Sequence, residues 1–514
     1  MLSKLNSMTV LGMDCLSVEV ETDVSRGMPK FNIVGLGDAA VQESKQRVFS
    51  AIRNSNYSFP PNRITVNLAP ADTKKSGPSF DLPIAIGVLI ASEQINVLKN
   101  FEKTILLGEL ALDGRLRTIS GVLPIVSHAK EKGFIEIFLP KKNAKEAGLV
   151  EGVNVYGAET LQEIIEHLNG DKLIEKEPFV SEEELFSTDN NSFPVDFSSI
   201  VGQEQAKRAL EIAAAGSHNV LMNGSPGSGK TFMAKAFPSI LPRMVRKEAF
   251  EVSKIYSIAG LLPSDTPLLT QRPYRSVHHT ASSVSIVGGG RNPKPGEISL
   301  AHRGVLFMDE IAEFPGAVLE VLRQPLEDRK ITVSRASGTT EFPAHFSLIA
   351  AMNPCPCGYY NVQDSVRECS CLPFQIQKYQ KKLSGPLLDR IDLHIDISPV
   401  KIDTLQNTQK SEASKDILVR VQQARDIQTK RFKKIENITS NSEMGPDEIN
   451  IFCVLSEDSS QLLTHALTQF GLSARSYHRI LKVARSIADL ELSEKIETHH
   501  VAEALQYRSK KSEE

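Results

Sequence analysis

The sequence predicts an α/β protein: an N-terminal α+β domain, a core on a parallel sheet, and a helical C-terminal subdomain. Three observations predict it. The chain has 514 residues, enough for about three domains that each bury a core. Strand-like and helix-like runs alternate on both sides of an acidic break between Gly170 and Asp196. A Gly-rich turn leads from an apolar strand, Val220-Leu221-Met222, into a helix.

In the first domain, Cys15 to Val20 and Arg63 to Leu68 alternate with period two, as half-buried strands do. Asp38 to Asn54, with Ala39, Val41, Val48 and Ile52 on one face, suits an amphipathic helix capped by Asp38. Ile135 to Leu139 reads as a further strand. The expected domain runs over 1–169, with an acidic linker over 170–196. The linker carries two lysines and eight acids, a net −6, and reads as solvated. The first 169 residues come to −1 and residues 197–514 to +4.

Beyond the linker, Val305-Leu306-Phe307-Met308 and Phe346 to Ala351 are apolar on both faces, as buried parallel strands are. They place binding loops at their carboxyl ends over an expected core of 197–400. From Asp416 onward the pattern is helical, within an expected subdomain of 401–514.

Composition excludes several classes. Hydrophobic residues make up 41% and charged residues 24%, ordinary for folded protein and unlike a disordered chain. A net charge of −3 excludes a strongly basic nucleic-acid coat. Six cysteines are too sparse for a disulfide scaffold and favour a reducing compartment. The most apolar stretch, Leu82 to Ala91, contains Pro83 and is half the length of the ~20 residues a spanning helix needs. A cytoplasmic protein is expected.

Gly224-Ser225-Pro226-Gly227-Ser228-Gly229-Lys230-Thr231 satisfies G-x-x-x-x-G-K-[ST] at every fixed position. In that pattern glycines let backbone N–H groups wrap phosphates, Lys230 neutralises them and Thr231 holds Mg²⁺. Asp309 and Glu310, at the end of a buried strand, suit a second Mg²⁺ ligand and a base for the attacking water. Asn353 stands at another strand end, where it positions that water or caps a turn before Pro354. ATP and Mg²⁺ are the expected ligands.

These motifs resemble the AAA+ ATPase superfamily. Ser384-Gly385-Pro386-Leu387-Leu388-Asp389-Arg390-Ile391-Asp392 is similar to the arginine-finger segment of its magnesium-chelatase and helicase branch. The resemblance implies that Arg390 completes a neighbouring subunit's site; the competing reading is a local ion pair with Asp389 or Asp392. Gly471-Leu472-Ser473-Ala474-Arg475 resembles the helical-lid motif, which implies that Arg475 touches the γ-phosphate in cis.

The 79 residues from Lys230 to Asp309 include a Gly/Pro loop with Arg291 and Lys294. Lys330 to Thr340 alternates around a Gly turn and carries Arg335 near its tip. These resemble the helix-2 insert and pre-sensor hairpin of that branch. On that likeness Arg291, Lys294, Lys330 and Arg335 are candidate DNA contacts; without it, both loops read equally as solvated connections.

Cys355-Pro356-Cys357 and Cys369-Ser370-Cys371 offer four thiolates for a structural Zn²⁺, with reduced thiols as the alternative. Cys15 and Cys453 are isolated.

Residues 27–169 resemble the Lon-protease-like (S5-like) domain of the magnesium-chelatase-like ComM/YifB family. The likeness rests on Gly27 to Leu36, Asn67 to Asp72 and Gly77 to Pro83. Ser79 matches a protease nucleophile, but Leu123 stands where its lysine base belongs, and leucine cannot accept a proton. Proteolysis is not expected; Lys74, Lys75, Arg115 and Arg117 offer a modest nucleic-acid surface. The likeness continues through Phe197 to Glu211 and over nearly the whole chain. It implies a homo-hexameric ring that encloses DNA and spends ATP on branch migration during natural transformation. The alternatives are a magnesium-chelatase motor subunit acting on a protein partner, or a nucleotide-gated scaffold without turnover.

Overall fold

The computed structural model describes residues 1–508, apart from 98–99, 182–185, 187–192, 264, 291–292, 336–337, 362–366, 400–410, 436–437 and 471–472. Strands β1 (Leu2–Leu11), β2 (Asp14–Ser25), β3 (Lys30–Val34), β4 (Arg63–Ala69) and β5 (Thr104–Leu106) open the chain. Two short strands, β6 (Glu109–Leu110) and β7 (Leu116–Arg117), pair with each other, and β8 (Glu136–Pro140) and β9 (Asn154–Ala158) follow. Seven of these form a mixed sheet in the order β3-β4-β2-β1-β5-β8-β9. The helix Ala39–Asn54 begins where Asp38 accepts a hydrogen bond from the Val41 N–H at 3.0 Å, so the expected cap is in place. The helix Asp81–Ala91 is buried on nearly every side, which explains its apolar run.

A second, all-parallel sheet contains β10 (Val220–Gly224), β11 (Tyr274–Val277), β14 (Val305–Met308), β17 (Ser347–Met352) and β18 (Leu393–Ile397). Between these lie two hairpins, β12 (Gly288–Gly289) with β13 (Lys294–Pro295), and β15 (Lys330–Arg335) with β16 (Gly338–Pro343). The sheet order β11-β14-β17-β10-β18 puts β10 at an inner position, with β17 on one side and β18 on the other. Every residue of β14 and β17 is buried. Five helices, Ser414–Arg431, Pro446–Phe452, Glu457–Phe470, Ala474–Leu490 and Thr498–Gln506, close the chain. Their apolar faces join the core beneath β10 and β18.

The acidic segment is not a free tether along its described first part. Lys176 bridges Tyr156, the Glu177 N–H donates to Val155 O at 2.9 Å, and the Arg246 guanidinium lies 5.9 Å from the Phe179 ring centroid. Backbone pairing thus outweighs the charge that made the segment read as solvated.

The two sheets share packing. Met244, Ala249, Val252 and Leu268 from beyond the linker belong to the same apolar cluster as Met8, Ile105, Leu123 and Ile137. Glu146 is buried there, accepts from Ser257 Oγ at 2.5 Å and from the Leu123 N–H at 2.9 Å, and burial pushes its carboxyl pKa up. At the β1–β2 turn, Gly12 (φ +66°) lies so close to Thr340 of β16 that a Cβ would fall 2.3 Å from its Cγ2.

Candidate functional site

The parallel sheet gathers the expected site residues at its carboxyl edge. β10 ends at Gly224, where a Cβ would lie 2.4 Å from Ile397 O, so only glycine fits the approach of β18. Ser225 to Gly229 form the turn, with Gly227 at φ +78° and Gly229 at +93°, and Lys230 begins the helix Lys230–Ala236. Pro226 projects from the loop, whereas Ser225 and Ser228 are buried, and the Ser228 hydroxyl has no protein partner among the described residues.

Lys230 is folded back into this turn. Its ammonium donates to Gly224 O at 2.7 Å, Ser225 O at 2.8 Å and Asn353 Oδ1 at 3.2 Å. Burial pushes its pKa down to about 8, against the pull of Asp309 and Glu310. Thr231 Oγ1 donates to Asp309 Oδ2 at 2.8 Å. A hydroxyl and a carboxylate so close form a hard-oxygen pair of the type Mg²⁺ takes. With the orphaned Ser228 hydroxyl and the buried lysine, the donor set fits a magnesium-bound polyphosphate.

Glu310 adopts a left-handed backbone (φ 49°, ψ 47°), uncommon for a residue with a Cβ and a form of strain that clusters at functional sites. Its half-exposed carboxylate lies 3.4 Å from His279 Nδ1. His279 lies two residues beyond β11, its ring tilted against that of His278 with centroids 4.1 Å apart. No sequence spacing marks it, because the contact joins neighbouring strand ends rather than residues one helical turn apart.

Arg390 and Arg475 lie elsewhere. Asn219, just before β10, holds the Arg390 carbonyl through its side chain at 3.1 Å, which fixes Arg390 at the amino edge of the sheet. Arg390 is buried there; it donates to Pro386 O at 2.6 Å and pairs with Glu327 at 2.5 Å. Glu327 also pairs with Arg475 at 3.0 Å, and Arg390 holds its carboxyl below the usual range. Arg390 pairs with Glu327, not with Asp389 or Asp392. Arg475 shares the Glu327 carboxylate, at the sheet edge opposite its own Lys230. Asp392 is taken instead by Arg479 at 2.6 Å and His218 at 3.4 Å, and Arg479 holds its carboxyl far below the ordinary value despite burial.

The candidate DNA residues are scattered. Lys330 is neutralised across the hairpin by both Glu341 oxygens at 3.0 Å, which weakens its claim on a phosphate. Lys294 is exposed and lines a cleft of about 320 Å³ with Ser79, Glu109 and Ser120 of the first domain. Arg291 lies outside the described residues, as does the Arg335 side chain; only the Arg335 backbone, paired with Gly338, is described. Lys75 is fully buried and drops out of the expected surface, while Arg115 and Arg117 are paired with Asp113 at 2.7 Å and Glu109 at 3.4 Å. Leu123 is fully buried.

Cys355, Cys357, Cys369 and Cys371 converge, with all four sulfurs within 4.8 Å of one another. Three separations are 3.3, 3.5 and 3.8 Å. Tetrahedral zinc with Zn–S bonds of ~2.3 Å sets sulfurs roughly 3.8 Å apart, so the cluster fits that ion. Glu491, His499 and His500 also meet, but the His500 Nδ1 accepts the Glu497 N–H at 2.9 Å. Its Nε2 therefore carries the proton toward Glu491, and Arg208 stands 3.5 Å from the same carboxylate. That arrangement is a hydrogen-bond cluster. Cys453 is buried and Cys15 half-buried; burial pushes both thiols up to about 12. Among the described residues no helix is long and apolar enough to cross a membrane.

Residues 196–405 match the model of magnesium chelatase subunit ChlI, residues 20–143 a second ChlI-subunit model, and residues 411–508 the ChlI C-terminal model. Competence protein ComM of Haemophilus influenzae is 44% identical over 97% of this chain and 96% of its own length. The YifB protein of Escherichia coli is 41% identical over 99% and 97%. Lon protease 2 of Bacillus subtilis is 30% identical over a partial match, 30% of this chain and 29% of its own length. The chain therefore belongs to the magnesium-chelatase-like family that includes competence protein ComM and the YifB proteins.

Proposed function

We propose that this chain is an AAA+ ATP hydrolase that assembles as a homo-hexameric ring and drives DNA, as a helicase or branch-migration factor in natural transformation and recombination. One observation carries the ATPase reading. Lys230, Thr231, Asp309, Glu310 and Asn353 meet at the carboxyl ends of three adjacent strands, while Arg390 and Arg475 stand at the opposite edge. A site split in that way is completed by a neighbour, as a ring provides. Thr231 and Asp309 hold Mg²⁺, which screens phosphate charge, and Gly224 to Lys230 cradle the phosphates. Glu310 takes the proton from the attacking water that Asn353 orients, and a neighbour's Arg390 stabilises the charge that develops. The part played by Arg475 is then also in trans.

The domain plan is a Lon-protease-like domain over 1–169, a linker over 170–196, the AAA+ core with its insert and pre-sensor hairpin over 197–400, and a helical lid over 401–514. The four cysteines hold a structural Zn²⁺, and the protein works in the cytoplasm. DNA enters on the names of relatives and on Arg291, Lys294 and Arg335, with Lys330 the weakest of the four. The chelatase family models favour a second reading, a motor that remodels a protein partner.

ATP turnover measured with and without single-stranded or branched DNA separates the two. The expected result is several-fold stimulation that Arg335→Ala abolishes. Intact turnover that no DNA stimulates refutes the DNA motor and leaves protein remodelling.

A further inference from the structure

The cysteine cluster is not a remote appendage; its loop rests on the phosphate loop. Gly358, directly after Cys357, has φ +86°, and its N–H donates to Cys355 O at 3.0 Å to close the first knuckle. A Cβ on Gly358 would fall 2.4 Å from Pro226 Cδ and 2.7 Å from Pro226 Cγ. The atoms it would meet belong to a ring fused to the backbone, which cannot swing aside as a flexible side chain does. Pro226 is the residue between Ser225, whose carbonyl receives Lys230, and Gly227.

The same loop fixes a second site residue. Asn353, the Lys230 acceptor, lies two positions before Cys355, which is fully buried. Between them the Pro354 carbonyl accepts from Gln380 Nε2 at 3.2 Å. From Asn353 to Gly358 the chain is therefore pinned at one end to the catalytic lysine and at the other to the phosphate loop, with two cysteines in between.

The phosphate loop needs such support. Gly227 and Gly229 both have positive φ, and glycine gives those positions many other conformations. Contacts from outside the loop must select the one that holds phosphates. Without metal, weak S–H contacts and a few backbone N–H groups, such as that of Gly358, are left to hold the knuckles together, and closing the 355–371 segment costs loop entropy.

We propose that a zinc ion on Cys355, Cys357, Cys369 and Cys371 braces the phosphate loop through the Gly358–Pro226 contact, so that metal occupancy sets nucleotide affinity. The proposal rests on the nucleotide-binding reading and adds to it a dependence on zinc.

The test uses the full-length protein, zinc analysis, and fluorescence titration with mant-ATP in magnesium buffer. Wild type is expected to carry one zinc equivalent, and Cys369→Ser to lose it. Stripping zinc and restoring magnesium should weaken mant-ATP binding about tenfold, equivalent to about 1.4 kcal/mol. Gly358→Ala is the decisive variant: it should keep its zinc yet bind mant-ATP about tenfold more weakly, because the added methyl displaces Pro226. It isolates the Gly358–Pro226 contact through which the metal must act, and so can overturn the proposal even where the zinc-free protein unfolds on a circular-dichroism melt. Zinc-free but folded protein that binds mant-ATP as the wild type does would overturn the proposal. So would wild-type affinity in Gly358→Ala, or purified protein without zinc. Zinc-loaded wild type that fails to bind mant-ATP instead removes the nucleotide reading, and this proposal with it.

Discussion

Glu310 concentrates the chemistry at the scale of one residue. It is half exposed, held in a left-handed backbone, and 3.4 Å from His279, so its carboxylate is placed by strain and by one cross-strand partner. Glu310→Gln keeps the shape and the hydrogen-bonding reach but removes the base. It should bind ATP as the wild type does while turnover falls by about 10²–10⁴-fold, measured by phosphate release beside mant-ATP titration. Turnover within twofold of wild type would remove Glu310 from the mechanism. Lys230, Thr231, Asp309 and Glu310 were legible because their signals are local: a fixed spacing, or two acids after four apolar residues. Glu327 was not legible. It sits in a charged run beside Asp328, Arg329 and Lys330, and its partners Arg390 and Arg475 are distant in sequence.

Elements were readable where burial matches the period. β14 and β17 are apolar throughout because both faces of a parallel sheet are covered. β1 escaped notice because polar residues fill part of its buried face: Ser3 Oγ donates to Gly87 O and Ser7 Oγ to Leu106 O, each at 2.9 Å. Those bonds satisfy the hydroxyls and erase the alternation a reader would use. The junction between β18 and the helix Ala474–Leu490 depends on another unsignalled contact, Arg479 on buried Asp392. Arg479→Ala leaves that carboxylate buried with His218, backbone support and the more distant charges of Lys482 and Arg508. It should cost about 3–5 kcal/mol in urea unfolding. A loss under 1 kcal/mol would mean that water or His218 replaces the guanidinium.

Two buried histidines should make the whole molecule acid-sensitive above the ordinary carboxylate range. Burial pushes His302 and His394 down to about 4, though Glu251 draws His302 up; Arg303 and His345 beside His302, and Arg508 beside His394, push the same way as burial. The folded chain keeps both neutral, whereas the unfolded chain binds their protons below ~6.5. The stability these two histidines contribute is therefore full above 6.5 and falls as pH drops toward 4, by up to about 1.4 kcal/mol per histidine per pH unit. Glu251, held down to about 2, loses its contribution only below its ordinary range, whereas Glu146 and Asp81, pushed up by burial, work the other way and offset part of the histidine effect. A melting temperature unchanged between pH 7 and 5 would contradict this.

At that same scale, the two sheet edges carry the central claim, that catalysis needs residues from two copies of the chain. Mixing Glu310→Gln with Arg390→Ala tests it most directly. Neither variant alone should hydrolyse ATP, but a mixed ring contains interfaces that pair an intact Glu310 with an intact Arg390. The account predicts that mixing restores up to about a quarter of wild-type turnover, the share of interfaces that draw an intact residue from each side under random, independent assembly. Full activity of Arg390→Ala alone, or no recovery from rings shown to mix, would contradict it.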